Sequence, residues 1–234
     1  MFQFKQFSVD QSNCAMKINT DGVLLGALAD GDSPEHILDI GTGTGVIALM
    51  LAQRFGNADI DAVEIDKLAA ATAGKNFSES KFAGRMALYP VGFEQFFADF
   101  PDKKYDLIVA NPPFYINSLH SLEERKQLAK HAHKSFFERL IAGVTKHLSD
   151  KGLCWLVLNV PTAVVVKTLA AENGLYLNKI IQISSFADKA PHREIMAFGK
   201  SKQQGKEEQL VIYEAEGVYT NEYIAVLKDF FTIF

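Results

Sequence analysis

The run His36-Ile37-Leu38-Asp39-Ile40 stops at Gly41-Thr42-Gly43-Thr44-Gly45, and Val46 to Phe55 continues with a helical pattern. Strand, glycine turn and helix in that order constrain the chain more than any other feature. A buried strand that leads through so tight a turn into a helix sends the chain back over the face of its own sheet. The pattern then repeats. Asp59 to Ile65 reads as a second strand and Lys67 to Asn76 as a second helix. Met86 to Tyr89 and Glu94 to Ala98 make a third, shorter pair. Tyr105 to Ala110 is a fourth strand, Glu123 to Leu148 a long helical region, and Leu153 to Val160 a fifth strand that Pro161 stops. This alternation predicts an α/β fold, with a mostly parallel sheet, helices on both faces and right-handed crossovers.

The end of the chain breaks the alternation. Leu175 to Phe186 and Arg193 to Gly199 read as two strands joined by a loop containing Pro191. They predict an antiparallel C-terminal hairpin at the sheet edge and seven strands in the sheet. Ser201 to Glu208 reads as a polar loop, Leu210 to Tyr213 as an extra strand and Glu222 to Phe231 as a final helix. Residues 1–30 carry no sheet-core pattern; within them Thr20-Asp21-Gly22 reads as a capped turn entering a short helix. A chain of 234 residues suits one domain spanning 1–234.

No apolar run reaches the roughly 18 residues that span a bilayer. Met1 to Lys5 lacks the basic-then-apolar order of a signal peptide, so a cytoplasmic, membrane-free protein is expected. Cys14 and Cys154 lie far apart without metal-ligand spacing, so neither a disulfide nor a metal is expected. A monomer is expected. The net charge of −4 counts mildly against a bulk nucleic-acid binder, although a local basic face can serve.

The glycine turn is the first candidate site. Glycines are needed where backbone turns tightly and approaches a ligand. A dinucleotide fingerprint reads G-x-G-x-x-G/A. Here the third glycine comes one residue early, which suits a ligand with no pyrophosphate. The second strand closes on Val63-Glu64-Ile65-Asp66. Glu64 can accept both hydroxyls of a ribose, and Asp66 can cap the next helix. The turn plus Glu64 resembles the class I S-adenosylmethionine-dependent methyltransferases, with their Rossmann-like fold. The resemblance implies that Asp39, Gly41, Gly43 and Gly45 border the methionine end of the cofactor and Glu64 its ribose. That family often places an acid after the third strand, near the adenine. Pro90-Val91-Gly92-Phe93 has none, which leaves Phe93, through its N–H and ring, as a stand-in.

Asn111-Pro112-Pro113-Phe114 closes the fourth strand. In a doubly wound sheet of order 3-2-1-4-5, strands one and four flank the switch point where ligands bind. The motif and the glycine turn therefore face one crevice. Methylating a planar amine requires two acceptors around its N–H bonds, because the nitrogen lone pair is delocalised. The Asn111 side-chain carbonyl and the Pro112 backbone carbonyl supply them. Proline restricts its own φ and its predecessor's geometry, so the pair is rigid before substrate arrives. Phe114 offers a face for a flat group, worth ~1–3 kcal/mol for a nucleobase. The same four-residue signature is found in amino-methyltransferases acting on adenine N6, cytosine N4 or glutamine amides.

Phe2 to Phe7 and Cys14 to Ala27, with the two central motifs, Pro191-His192-Arg193 and Phe230-Phe231, look like the bacterial tRNA adenine-N6 methyltransferases that act next to the anticodon of a valine tRNA. The likeness runs over nearly the whole chain. It implies that residues 1–30 cap the cofactor crevice, with Lys17, Thr20 and Asp21 touching the methionine end. An RNA substrate needs phosphate contacts. Arg125, Lys130, His131 and Lys134 form one candidate cluster. His192 and Arg193 form a second, together with Lys200, Lys202 and Lys206. The same chemistry on DNA adenine N6, rRNA guanine N2 or protein glutamine N5 stays open. A nicotinamide-dependent oxidoreductase is disfavoured by the glycine spacing, and a non-catalytic partner subunit by the intact Asn111 motif.

Overall fold

The computed structural model describes residues 1–12, 14–112 and 122–234, and of 122–133 only the backbone. Two short strands, β1 (Phe2–Gln3) and β2 (Ser8–Val9), pair with each other and precede α1 (Thr20–Leu28). The alternating part follows as β3 (His36–Ile40), α2 (Val46–Arg54), β4 (Asp59–Val63), α3 (Lys67–Glu79), β5 (Met86–Tyr89), α4 (Phe93–Asp99), β6 (Tyr105–Ala110), α5 (Leu122–His147) and β7 (Leu148–Asn159). The chain continues through α6 (Val160–Glu172), β8 (Tyr176–Ser184), β9 (Arg193–Gly199), β10 (Lys206–Val211), β11 (Tyr213–Ala215), β12 (Val218–Tyr219) and α7 (Asn221–Leu227).

Among the described residues the main sheet has eight strands in the order β5-β4-β3-β6-β7-β9-β8-β10. Only β9 runs antiparallel to its neighbours. The central strands bury both faces, as parallel strands under two helical layers must. Ile37, Leu107 and Val109 belong to the core beneath α1, α2 and α7, whereas Leu38, Ile108 and Ala110 belong to the core beneath α4, α5 and α6.

Three features depart from the sequence expectation. The antiparallel pair β8–β9 is not an edge hairpin. β9 is inserted between β7 and β8, and Ile195 to Phe198 are buried on both faces, as an interior strand requires. The edge is β10, which starts at Lys206 inside the stretch read as a loop. Its Lys206-Glu207-Glu208-Gln209 is exposed and carries no apolar alternation. Cross-strand contacts hold it instead: Lys179 to Glu208 at 2.8 Å and Gln182 to Glu207 at 2.8 Å. A charged edge strand also resists pairing with other chains. Finally, Val160–Glu172 forms a helix, α6, that the sequence expectation lacks. Pro161 opens that helix rather than merely ending β7, with the Asn159 side chain accepting from Thr162 N at 2.9 Å.

The two ends of the chain meet. Phe4 bridges to Phe231, Lys5 N donates to Phe230 O at 2.8 Å, and Phe4 is wholly buried. Among the described residues no helix is long and apolar enough to cross a membrane.

Candidate active site

The pairing of β3 with β6 places Ile40 beside Ala110. Gly41 and Asn111 therefore emerge side by side from the carboxyl ends of neighbouring strands. Gly41, Gly43, Glu64, Phe93, Asn111 and Pro112 all line one cleft of about 450 Å³. That size lies within the ~300–1,000 Å³ usual for small-molecule sites.

The glycine turn is built by its own backbone. Gly41, Gly43 and Gly45 have φ of 71, 56 and 82°, a region that costs other residues roughly 1–2 kcal/mol. Gly41 N and Thr42 N both donate to Val63 O, at 2.9 and 3.1 Å. A Cβ built on Gly41 or Gly43 meets nothing within 4 Å, so the space over these two backbones is open to a ligand. Gly45 is glycine for another reason: a Cβ there would collide with the Phe77 ring. It serves helix packing behind the turn and does not line the cleft.

Glu64 ties the turn to the next strand. Its Oε2 accepts from Gly43 N at 2.8 Å and its Oε1 from Asp66 N at 2.9 Å. Each oxygen keeps a lone pair for a second donor. Asp66 caps α3, accepting from Leu68 N and Ala69 N, and also borders the cleft. Asp39 lies below the turn, wholly buried. Its Oδ2 accepts from Thr42 Oγ1 at 2.6 Å. Burial pushes the Asp39 carboxyl up to about 7, against the Thr42 hydrogen bond, and the nearby Glu64 charge adds to the rise.

The N-terminal residues are divided. Cys14, Ala15 and Met16, from the run that carries the family resemblance, line the cleft. Lys17 and Thr20 are exposed and outside the cleft lining. The N-cap of α1 is Asn19, whose side chain accepts from Gly22 N at 2.9 Å, rather than Thr20 or Asp21. Asp21 pairs with Arg193 at 2.8 Å. Gly22 faces Asn111: a Cβ there would lie 3.5 Å from Asn111 Nδ2. The first turn of α1 thus abuts the Asn111 carboxamide.

An acid follows Pro90-Val91-Gly92-Phe93 directly, at Glu94. Glu94 lines the cleft and its Oε1 accepts from Arg139 Nε at 3.1 Å; Arg139 itself also lines the cleft. The Phe93 ring is buried, edge-on to Phe97 and Phe136. Ile65, 74% exposed at the cleft wall, escaped notice because it reads as the last residue of a buried strand.

The basic clusters fare unequally. Pro113 and Phe114 lie outside the described residues, as do the side chains of Arg125, Lys130 and His131. Lys134 is exposed and pairs with Glu138 at 3.5 Å. His192 is exposed beside Arg193 at the start of β9, on the same sheet end as Asn111; partial burial and the Arg193 charge lower its pKa. Lys200, Lys202 and Lys206 sit at the opposite end, because β9 runs backwards and Gly199 pairs with Leu153 and Tyr176. Seven residues of strand, at about 3.3 Å each, separate the two halves of the cluster expected from sequence.

The open backbone of Gly41 and Gly43, the acid at Glu64 and the apolar wall at Ile65 and Val91 fit an adenosine-bearing ligand such as S-adenosylmethionine. Residues 19–170 match the methyltransferase small domain family. A Pedobacter heparinus protein named tRNA1(Val) (adenine(37)-N6)-methyltransferase is 47% identical over 233 residues, covering 100% of this chain and 98% of its own. A Haemophilus influenzae protein of the same name is 39% identical, covering 100% and 99%. A predicted O-methyltransferase of known structure from Agrobacterium tumefaciens superposes with a TM-score of 0.69 at 17% identity, over 90% of this chain and 96% of that one, a likeness of fold. The chain belongs to the methyltransferase small domain family, as an S-adenosylmethionine-dependent enzyme akin to the proteins named tRNA1(Val) (adenine(37)-N6)-methyltransferase.

Proposed function

We propose that this protein methylates N6 of the adenine next to the anticodon of a valine tRNA, as a cytoplasmic enzyme acting alone. The observation that carries the reading is the placement of Asn111 and Pro112 beside Gly41 and Gly43 in one cleft. Full-length likeness to relatives bearing that activity in their names supports the choice of substrate.

S-adenosylmethionine, when bound, supplies an electrophilic methyl group. Gly41 and Gly43 offer open backbone to its methionine end, Glu64 receives its ribose hydroxyls, and Ile65, Phe93 and Glu94 border its adenine. Asp39 acts from beneath the turn, through Thr42. The substrate adenine is splayed out of its loop to reach the cleft. Asn111 Oδ1 and the Pro112 carbonyl accept the two N–H bonds of the amine, and they stabilise the positive charge that builds on nitrogen. Phe114, outside the described residues, would offer its ring to the base. No side chain need remove the proton first, since the amine loses it after transfer. His192, which is exposed, and Arg193, which pairs with Asp21, are the residues that would meet phosphates. Residues 1–30 act as part of the same domain and wall the cleft through Cys14 to Met16.

Labelled-methyl transfer to unmodified tRNA, rRNA, DNA and ribosomal protein, followed by nucleoside analysis, tests the proposal. N6-methyladenosine confined to one tRNA is expected. Label found only in DNA, rRNA or protein sinks the tRNA assignment. Asn111→Ala is expected to remove turnover while leaving cofactor affinity within a few-fold.

A further inference from the structure

Asn76, on α3, is buried (3% exposed) and far from the reacting groups, yet its carboxamide is fully used. Its Oδ1 accepts from Asp10 N at 2.9 Å. Its Nδ2 donates to Asp10 O at 3.0 Å and to Thr44 O at 2.8 Å. Thr44 belongs to the glycine turn, between the open Gly43 and the packed Gly45. Asp10 begins the stretch that leads to Cys14, Ala15 and Met16 on the cleft wall. One turn earlier on the same helix, the Thr72 hydroxyl lies 2.9 Å from Ser12 O and 3.0 Å from Leu68 O and shares its one proton between them. Beyond Asp10 the segment is anchored by β2 against β1, and after Met16 it enters α1. Asn76 is thus the side chain that joins the N-terminal segment to the turn that meets the cofactor.

We propose that Asn76 is a positioning residue that makes the N-terminal segment and the glycine turn a single cofactor-binding unit. The segment keeps Cys14 to Met16 on the cleft wall while Asn76 and Thr72 hold it. By thermodynamic reciprocity, S-adenosylmethionine in the cleft then holds the segment in place. The orientation of the Asn76 carboxamide is fixed, because two of its bonds need N–H donors and one needs an acceptor. Aspartate at this position keeps the shape and reverses the polarity toward both carbonyls. This inference rests on the assignment of the cleft to S-adenosylmethionine.

The test uses the full chain with Asn76→Asp and Thr72→Val, reading calorimetric affinity for S-adenosylmethionine and the rate of tryptic cleavage after the exposed Lys17. In the unchanged protein, S-adenosylhomocysteine should slow that cleavage. Asn76→Asp should weaken cofactor affinity about tenfold or more, speed the cleavage and abolish its protection. Thr72→Val removes a tie to the segment and leaves the Thr44 bond intact; it should weaken affinity by about threefold and also speed the cleavage. At saturating cofactor, turnover by Thr72→Val should stay near normal, a KM effect without a kcat effect. Normal affinity and normal cleavage in Asn76→Asp overturn the proposal. So does an impaired Asn76→Asp beside a wholly normal Thr72→Val, since Asn76 then serves the turn alone. A lowered melting temperature with affinity unchanged in either folded variant means a purely structural role and also overturns it. Should Asn76→Asp not fold, Thr72→Val and the protection of the unchanged protein decide. An unchanged protein that fails to bind S-adenosylmethionine refutes the cleft assignment itself, whereas binding with unaffected variants refutes only the coupling.

Discussion

Arg193 Nε donates to Asp21 Oδ2 at 2.8 Å, tying the start of β9 to the first turn of α1 across 172 positions of sequence. Both side chains are mostly covered, at 27% and 16% exposure. The next residue after Asp21 is Gly22, which faces Asn111. The ion pair therefore seats the first turn of α1 against the Asn111 carboxamide. Asp21→Asn and Arg193→Gln should each lower turnover on RNA, while affinity for S-adenosylmethionine stays within about twofold. Their effects on stability should couple by about 1 kcal/mol in a double-mutant cycle. A large loss of cofactor affinity in Asp21→Asn alone would show that Asp21 touches the cofactor directly.

Glu64 holds Gly43 N and Asp66 N with one oxygen each. Glu64→Ala strands both N–H groups and removes the proposed ribose acceptor. Affinity for S-adenosylmethionine should fall by about 30-fold or more, and stability by about 1–3 kcal/mol. Glu64→Gln keeps one acceptor and should fall between. Calorimetry and thermal melts measure the two effects, and unchanged affinity in Glu64→Ala refutes the ribose assignment.

The glycines of the turn should separate stability from binding. Gly45→Ala drives a methyl group into the Phe77 ring in a left-handed backbone. It should lower stability by roughly 2–4 kcal/mol. Gly43→Ala meets no protein atom within 4 Å and pays mainly the backbone cost, about 1 kcal/mol. Its methyl group projects into space that the cofactor needs, so affinity should suffer more than the melting temperature. Equal melting temperatures for the two variants would contradict this division.

Burial pushes the Asp39 carboxyl from its ordinary 3.8 up to about 7. Between those values the folded protein keeps a proton that the unfolded chain has released. Folding then binds more protons than unfolding, so this group's contribution to stability falls as pH rises from about 4 to about 7, and the full penalty applies above that range. Asp39→Asn cannot ionise and still offers an acceptor to Thr42 Oγ1. Its melting temperature relative to the unchanged protein should rise across that interval. A constant difference between the two from pH 4.5 to 8 would show that Asp39 titrates normally.

Much of the fold was legible in the chain because its central strands are buried on both faces and read as continuous apolar runs. β5 and β6 were read with the bounds they have, at Met86–Tyr89 and Tyr105–Ala110. β10 was not, because a solvated edge strand held by its backbone ladder to β8 and by polar cross-strand contacts shows no apolar period. α6 was hidden by Pro161, which signals the end of a strand and the start of a helix equally well. In the site, Gly41, Gly43, Glu64 and Asn111 were legible because their chemistry depends on local spacing. Glu94 and Arg139 were not, since each reaches the cleft from a different element and neither sits in a motif.

The sequence by itself determined the strand-turn-helix unit, the open glycine backbone and the place of Asn111 at a strand end. These follow from backbone sterics and side-chain chemistry within a few residues. Only the tertiary structure decided that Asp21 would meet Arg193, that Asn76 would bind both Asp10 and Thr44, and that the basic residues of 192–206 would part to opposite ends of the sheet. Such pairings depend on strand order and direction. Those are set by how the whole apolar surface is buried, a property that no local pattern carries.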